Sequence, residues 1–370
     1  EEDDLFGHSV SMSSDGDSVA IGAKRNGVWQ YGHVRVFDWD GSAWVQRGLD
    51  IDGKSSNEGV GEEVSISNNS NTVAITGFSY SSVQNSTRVY DWDGSAWVQR
   101  GLDISGSSSV SMSDNGNTLA IAKTLVYDWD GSAWVQRGLE IEPSYLPYGS
   151  DVGLTYGLDR AKKKVSISSN GNTVAIGRPN NDGNGQDSGH ARIFDWNGSA
   201  WVQRGLDIYG ENRRDIFGRG LVISNDGNTV AIGAPWYDGD GLIWHDIGHV
   251  RIYDWDGSAW VQRGLDIIGQ VAAWSNFSGR SISISNDTNT VAISNAGGNG
   301  TSIHQHVRVY DWNGSAWIQR GTDINEQNNG EDDGDNVSMS DDGNTVAIGY
   351  VVDDVANNGS IGRVRIFDWK

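Results

Sequence analysis

Two acidic, glycine-rich stretches place oxygen donors at alternate positions: "NDGNGQDSG" at 181–189 and "YDGDGLIWHD" at 237–246. Asp182, Asn184 and Asp187 in the first, and Asp238, Asp240 and Asp246 in the second, are residue types a hard cation takes. Ca2+ accepts about six to eight oxygens, and glycine lets a short loop wrap around it. Calcium is therefore the one cofactor these loops suggest. Neither follows the EF-hand spacing, and acidic, Gly-rich segments also serve as plain turns. A second chemistry belongs to the aromatics. Of 17 tryptophans, 13 recur at Asp-Trp or Ala-Trp positions, while Trp29, Trp236, Trp244 and Trp274 stand apart. Tyr145, Tyr148 and Tyr237 lie in the same variable stretches. Exposed, such rings stack on sugars or anchor a protein partner; folded down, they fill gaps in their own loops. Together they form the candidate ligand or partner site.

Catalytic chemistry finds little support in the pattern. Four of seven histidines, His33, His190, His249 and His306, hold one equivalent position in a repeat, which marks a structural role. His8, His245 and His304 match no catalytic spacing. Nucleophile elbow, phosphate loop and HExxH are all missing. The expectation is a chain without enzymatic activity.

What positions these residues is a repeat. "DWDGSAWVQRGLDI" stands at 38–51, 91–104 and 254–267, with near copies at 128–141, 195–208 and 311–324, and a further "DWK" at 368. Each unit holds four short stretches of period-two alternation, such as "SVSMS", "SVAIGA", "HVRVFDW" and "AWVQRGLDI", and each reads as a strand. Asp-Gly or Asn-Gly joins the third to the fourth, and segments such as "SNDGN" join the first to the second, all suited to tight hairpins. Four antiparallel strands per unit and seven units predict an all-β, seven-bladed β-propeller in one domain. The repeats run approximately 6–53, 60–106, 108–142, 163–210, 217–269, 279–325 and 335–370. The last blade lacks its outer strand, so either the natural chain continues past Lys370 or another segment fills that edge.

Packing between blades is expected of Trp39, Trp44, Val45, Leu49, Ile51 and their equivalents. It does not require Ser42, Gln46, Arg47 and Asp50 to recur. These mark either recent duplication or a repeated polar network. In such a meander the tight turns share one face and the long, variable connections share the other, which is the expected binding face.

The unit that begins "DLFGHSVSMSSDGDSVAIGA" and ends "GHVRVFDW" resembles the FG-GAP repeat. Phe6-Gly7 matches the FG; Phe217-Gly218 followed by Gly233-Ala234-Pro235 matches both halves; Gly177-Arg178-Pro179 is a partial GAP. The resemblance covers nearly the whole chain. It implies the propeller of integrin α-subunit headpieces and of many surface proteins, hence an extracellular or cell-surface location. That family's calcium loop between strands one and two is here a tight turn, so its calcium site does not carry over.

Composition narrows the partners. A formal charge of −22 repels phosphate backbones, so no nucleic acid is expected. No apolar run approaches membrane-spanning length, so no membrane insertion is expected. Cysteine is absent, which removes disulfides and thiolate chemistry. Asn-x-Ser/Thr sequons, Asn85 and Asn197 among them, would carry glycans if the protein is secreted in a eukaryote. The functional expectation is a surface-displayed binding or scaffold module that engages a protein partner or joins neighbouring repeats in a larger assembly. The alternative is a lectin-like propeller with repeated Trp-lined glycan sites.

Overall fold

The computed structural model describes residues 4–25, 31–77, 85–106, 108–141, 163–239, 246–269, 277–295, 306–325, 336–354 and 359–369. They form seven antiparallel sheets arranged in a ring, a seven-bladed β-propeller without helices. Blade one shows the plan: β1 (Phe6–Met12), β2 (Ser18–Ala23), β3 (His33–Trp39), β4 (Trp44–Gln46) and β5 (Ile51–Asp52). β1 lies innermost. β2 is buried along its whole length because neighbouring blades cover both its faces. This is why "SVAIGA" is apolar throughout rather than alternating.

The expected fourth strand is split. β4 pairs with the end of β3 at Phe37–Trp39, and β5 pairs with its start at His33–Val34. Between them Arg47-Gly48-Leu49 swings outward, with Gly48 at φ 75°. The same division occurs in blades two, four, five and six. The seventh sheet contains three strands, Asn336–Met339, Thr345–Asp354 and Gly359–Asp368.

Glycine explains how the blades approach each other. A Cβ on Gly22 would overlap the Gly61 carbonyl; Gly177 stands in the same relation to Gly218, Gly233 to Gly279, and Gly349 to Gly7. The second glycine of each pair has positive φ, 93° at Gly61 and Gly218, where its strand bulges. At four of the blade boundaries two sequence glycines therefore meet, and the Gly349–Gly7 pair closes the ring.

A backbone girdle ties the turns after the innermost strands. Asn68 N–H donates to Asp114 O (3.0 Å), Asp114 to Ser169 (3.1 Å), Ser169 to Asn225 (3.0 Å), Asn286 to Asp341 (2.8 Å) and Asp341 to Ser14 (2.9 Å). At the rim, five of the strand-four tryptophans cross to the preceding blade. Trp97 Nε1 donates to Arg47 O (2.9 Å), and Trp134, Trp201, Trp260 and Trp317 repeat the bond to Arg100, Arg137, Arg204 and Arg263.

One packing expectation is corrected. Ile51 is buried, but Leu49 is 86% exposed, as are Leu102, Leu139, Leu206 and Leu265 to within a point, and Val45 and its equivalents are about half exposed. They lie on the outward bulge and the outer edge, not between blades. The recurrent polar residues do form a network. Gln46 Nε2 donates to Asp50 Oδ1 (2.8 Å), Arg35 forks onto both Asp50 oxygens (2.9 and 2.8 Å), and Arg47 bonds Asp38 (2.5 Å) and the Ser70 carbonyl of the next blade (2.7 Å).

Candidate functional site

Register sends the two kinds of connection to opposite faces. Met12 pairs with Val19 and Trp39 with Trp44, so the tight turns lie at one end of each blade. The longer connections lie at the other end, and this face holds a cavity lined by described residues.

The cavity measures about 420 Å³ and belongs to blade two. Its walls come from the connection at 53–59 and from the starts of the third and split fourth strands. Lys54, Glu58, Ser86, Arg88, Asp103 and Ser105 are the residues that matter to its chemistry. Arg88 is the repeat arginine of strand three, and Asp103 is the repeat aspartate of "GLDI". Arg88 Nε donates to Asp103 Oδ2 (3.0 Å), and a second guanidinium nitrogen pairs with the buried Glu58. Lys54 Nζ reaches Asp103 Oδ1 and Gln99 Oε1, both at 2.9 Å. Glu58 also closes its own loop by accepting the backbone N–H groups of Lys54 (2.6 Å) and Ser55 (3.1 Å). Burial pushes the Asp103 carboxyl up, but hydrogen bonds from Lys54, Arg88 and Gln99 outweigh it and hold the group at about 2. Charges of both signs are thus fixed in place. One donor is left over: Arg88 is 3% exposed, and its Nη1 has no hydrogen-bond partner. A buried guanidinium N–H without an acceptor is costly. A ligand oxygen in the cavity would relieve it.

These residues were not among the sequence candidates. Their signal lay in the repeat itself: an arginine and an aspartate fifteen positions apart in Arg35–Asp50, Arg88–Asp103, Arg192–Asp207, Arg251–Asp266 and Arg308–Asp323. Blade two adds Glu58 and Lys54 from a loop, and blade five adds Glu211, which pairs with Arg251 at 2.7 Å.

The sequence candidates are distributed otherwise. Trp29, Trp244, Trp274, Tyr145, Tyr148 and Asp240 lie outside the described residues. Tyr237 is buried and packs edge-on against His249, ring centroids 4.5 Å apart, so it fills blade five. Trp236 is half-buried and rests against Phe277 at 5.4 Å. Asp182 Oδ1 accepts the Asp187 N–H (2.8 Å), and Asn184 Nδ2 donates to Gly210 O (2.9 Å), which fixes the 181–189 loop. Asp238 Oδ1 accepts the Asp246 N–H (3.1 Å). Each of these carboxylates therefore has a local structural task, separate from the blade-two cavity. Nearby, burial raises the Asp215 carboxyl to about 6, assisted by Glu211 and Asp238 and opposed by hydrogen bonds from Asn212. The four repeat histidines are all buried, at 0–7% exposure.

No protein-family model matches the chain, and no curated protein matches it. Solved structures do. Hydrazine synthase of Kuenenia stuttgartiensis is similar at a TM-score of 0.60 and 14% identity, covering 99% of this chain and 96% of that one. A candidate 6-phosphogluconolactonase of Bacteroides uniformis is similar at a TM-score of 0.54 and 12% identity, covering 86% and 85%. At these identities the likeness shows the fold. It also corrects the expectation of a non-enzyme: both neighbours are named as enzymes. One fold hosts both catalytic and non-catalytic functions, so missing motifs do not exclude activity here.

Proposed function

We propose that this propeller is a surface-displayed recognition module that engages a protein partner through its loop face, with the blade-two cavity as the principal contact. The observation that carries this reading is the fixed array of Lys54, Glu58, Arg88 and Asp103 around a cavity in which one buried guanidinium donor is unspent. Such an array suits an acidic or amide side chain, which offers an acceptor to Arg88 and Lys54 while Glu58 and Asp103 exclude poorly placed anions. The repeat supplies the rigid frame, since the same Arg–Asp pair is built into five blades. The FG-GAP resemblance supports the extracellular setting. The glycan alternative draws no comparable support from the paired tryptophans, because five of their indole N–H groups already bond across blade boundaries.

The test is a displayed peptide library selected on the whole chain, with a glycan array alongside. Ser105 is exposed at the cavity wall. Ser105→Trp should block the cavity without disturbing the blade, and Lys54→Glu should reverse one wall charge. Selected peptides are expected to lose at least about tenfold in affinity to either variant. Peptides that bind Ser105→Trp as well as the parent chain, or a response on the glycan array alone, would overturn the proposal.

A further inference from the structure

Blade one carries a constellation that the proposed recognition site does not use. We propose that it is a binding site for one divalent transition-metal ion, ligated by the imidazole of His33 and the carboxylates of Asp50 and Asp52.

The argument begins with register. His33 on β3 lies directly opposite Asp52 on β5, so their side chains leave the same face of the sheet. Asp50, two residues before Asp52, is held beside them by Arg35. One donor atom from each of the three residues lies within 4.8 Å of the others. That spacing closes onto a metal ion with small side-chain rotations.

Each donor has capacity to spare. His33 is 1% exposed, and neither of its ring nitrogens has a hydrogen-bond partner. In its neutral form the imidazole offers a ring-nitrogen lone pair to a metal. Asp50 Oδ1 already accepts from Arg35 Nε and Gln46, but Oδ2 accepts only from Arg35 Nη2, and a carboxylate oxygen takes about two donors. Asp52 is exposed and opens the site to water for the remaining positions. Charge agrees with a dication: Asp4, Asp50 and Asp52 surround His33 against the single guanidinium of Arg35.

The other blades act as internal controls. His190, His249 and His306 occupy the same buried position beside the same Arg-paired aspartate, but the residue opposite is Tyr209, Ile268 or Asn325. Among the described residues, only blade one completes a three-donor set. One imidazole with two carboxylates favours Zn2+, Mn2+, Fe2+, Co2+ or Ni2+ over the all-oxygen preference of Ca2+.

The test uses the whole chain after chelator treatment, titrated with Zn2+, Mn2+ or Co2+ by calorimetry while the histidine ring resonances are followed by NMR. One equivalent of metal should bind and move the His33 resonances while leaving those of His190, His249 and His306 in place. Asp52→Asn, a change at an exposed edge, should weaken binding at least about tenfold and leave the metal-free melting temperature unchanged. No uptake of any of the three ions up to about 1 mM, or Asp52→Asn binding as the parent chain does, would overturn the site.

Discussion

At the scale of single residues, one repeated device is the Arg–Asp pair between strand three and the split fourth strand, a two-bond fork in blades one, five and six. Arg308 is 3% exposed and bonds both oxygens of Asp323 at 2.9 Å, with Gln319 adding a third donor at 2.8 Å. The Arg308 hydrogen bonds pull the Asp323 carboxyl down to about 2, against the upward push of burial. The unfolded chain keeps an ordinary aspartate near 3.9. Because the folded value is the lower one, the pair's stabilisation is complete above about pH 4 and is lost as pH falls towards 2. Asp323→Asn should therefore cost about 2–3 kcal/mol at pH 7, the low side for breaking a buried pair because Asp323 is partly open. Its stability should also fall less steeply than the parent's between pH 4 and 2, as urea unfolding at several pH values would measure. An equal acid slope in the two proteins would refute the pairing. The chemistry of this fork was only half visible in the sequence. Recurrence flagged Gln46 and Asp50 as candidates for a network, but the partner Arg35 is fifteen residues away and meets Asp50 only once the fourth strand breaks. Glu58 and Lys54 gave no signal because they lie in a variable connection outside the repeated motif, where even the counterpart Glu211 beside Arg251 sits in a different local sequence.

At the scale of the element, the bulge in the fourth strand separates residues that the alternating pattern groups together. "AWVQRGLDI" reads as one strand with Trp, Val, Leu and Ile as its apolar set. The positive φ of the glycine, 76° at Gly101, turns the chain outward there, so Leu102 stands 87% exposed while Trp97 and Ile104 remain packed. Period-two reading cannot anticipate this, because it assumes an unbroken ladder. Strands one and three were legible from their alternation, strand two from its short apolar run, and the tight turns from Asp-Gly or Asn-Gly signals in almost every copy. The bulge predicts unequal costs within one motif. Leu102→Ser should change stability by no more than about 0.5 kcal/mol. Trp134→Ala, which removes a packed indole and its bond to the Arg100 carbonyl, should cost about 3 kcal/mol. Thermal unfolding of the two variants decides it; comparable losses would mean that the leucine is covered after all.

At the scale of the whole molecule, a propeller must hold its first blade against its last, and here that boundary is built from the same glycine pair as those between blades one and two, four and five, and five and six. Gly349 sits against the Gly7 carbonyl, and Gly7 takes φ 95°, a conformation that leaves no room or backbone freedom for a side chain. The Asp341–Ser14 backbone hydrogen bond completes the girdle across the same boundary at 2.9 Å. The FG and GA glycines could be read from the sequence as family marks, but their physical task, a backbone-to-backbone contact between different repeats, follows only from the ring. Gly349→Ala should therefore act as a wedge at the closing seam. Its expected cost is about 2–3 kcal/mol, the range of overpacking where the obstacle is backbone and cannot rotate away. Gly94→Ala is the matched control: it lies in a tight turn at φ 99° with nothing within 4 Å of the added Cβ, so it pays only local backbone strain. The two variants should differ in location as well as size. Hydrogen exchange in Gly349→Ala should accelerate first in β1 and in Thr345–Asp354, the two strands that face each other across the seam, and leave blades three to five protected. Gly94→Ala should lower protection only beside its own turn. If Gly349→Ala instead loosens all seven blades alike, closure does not depend on this glycine contact, and the girdle and the other inter-blade bonds hold the ring without it.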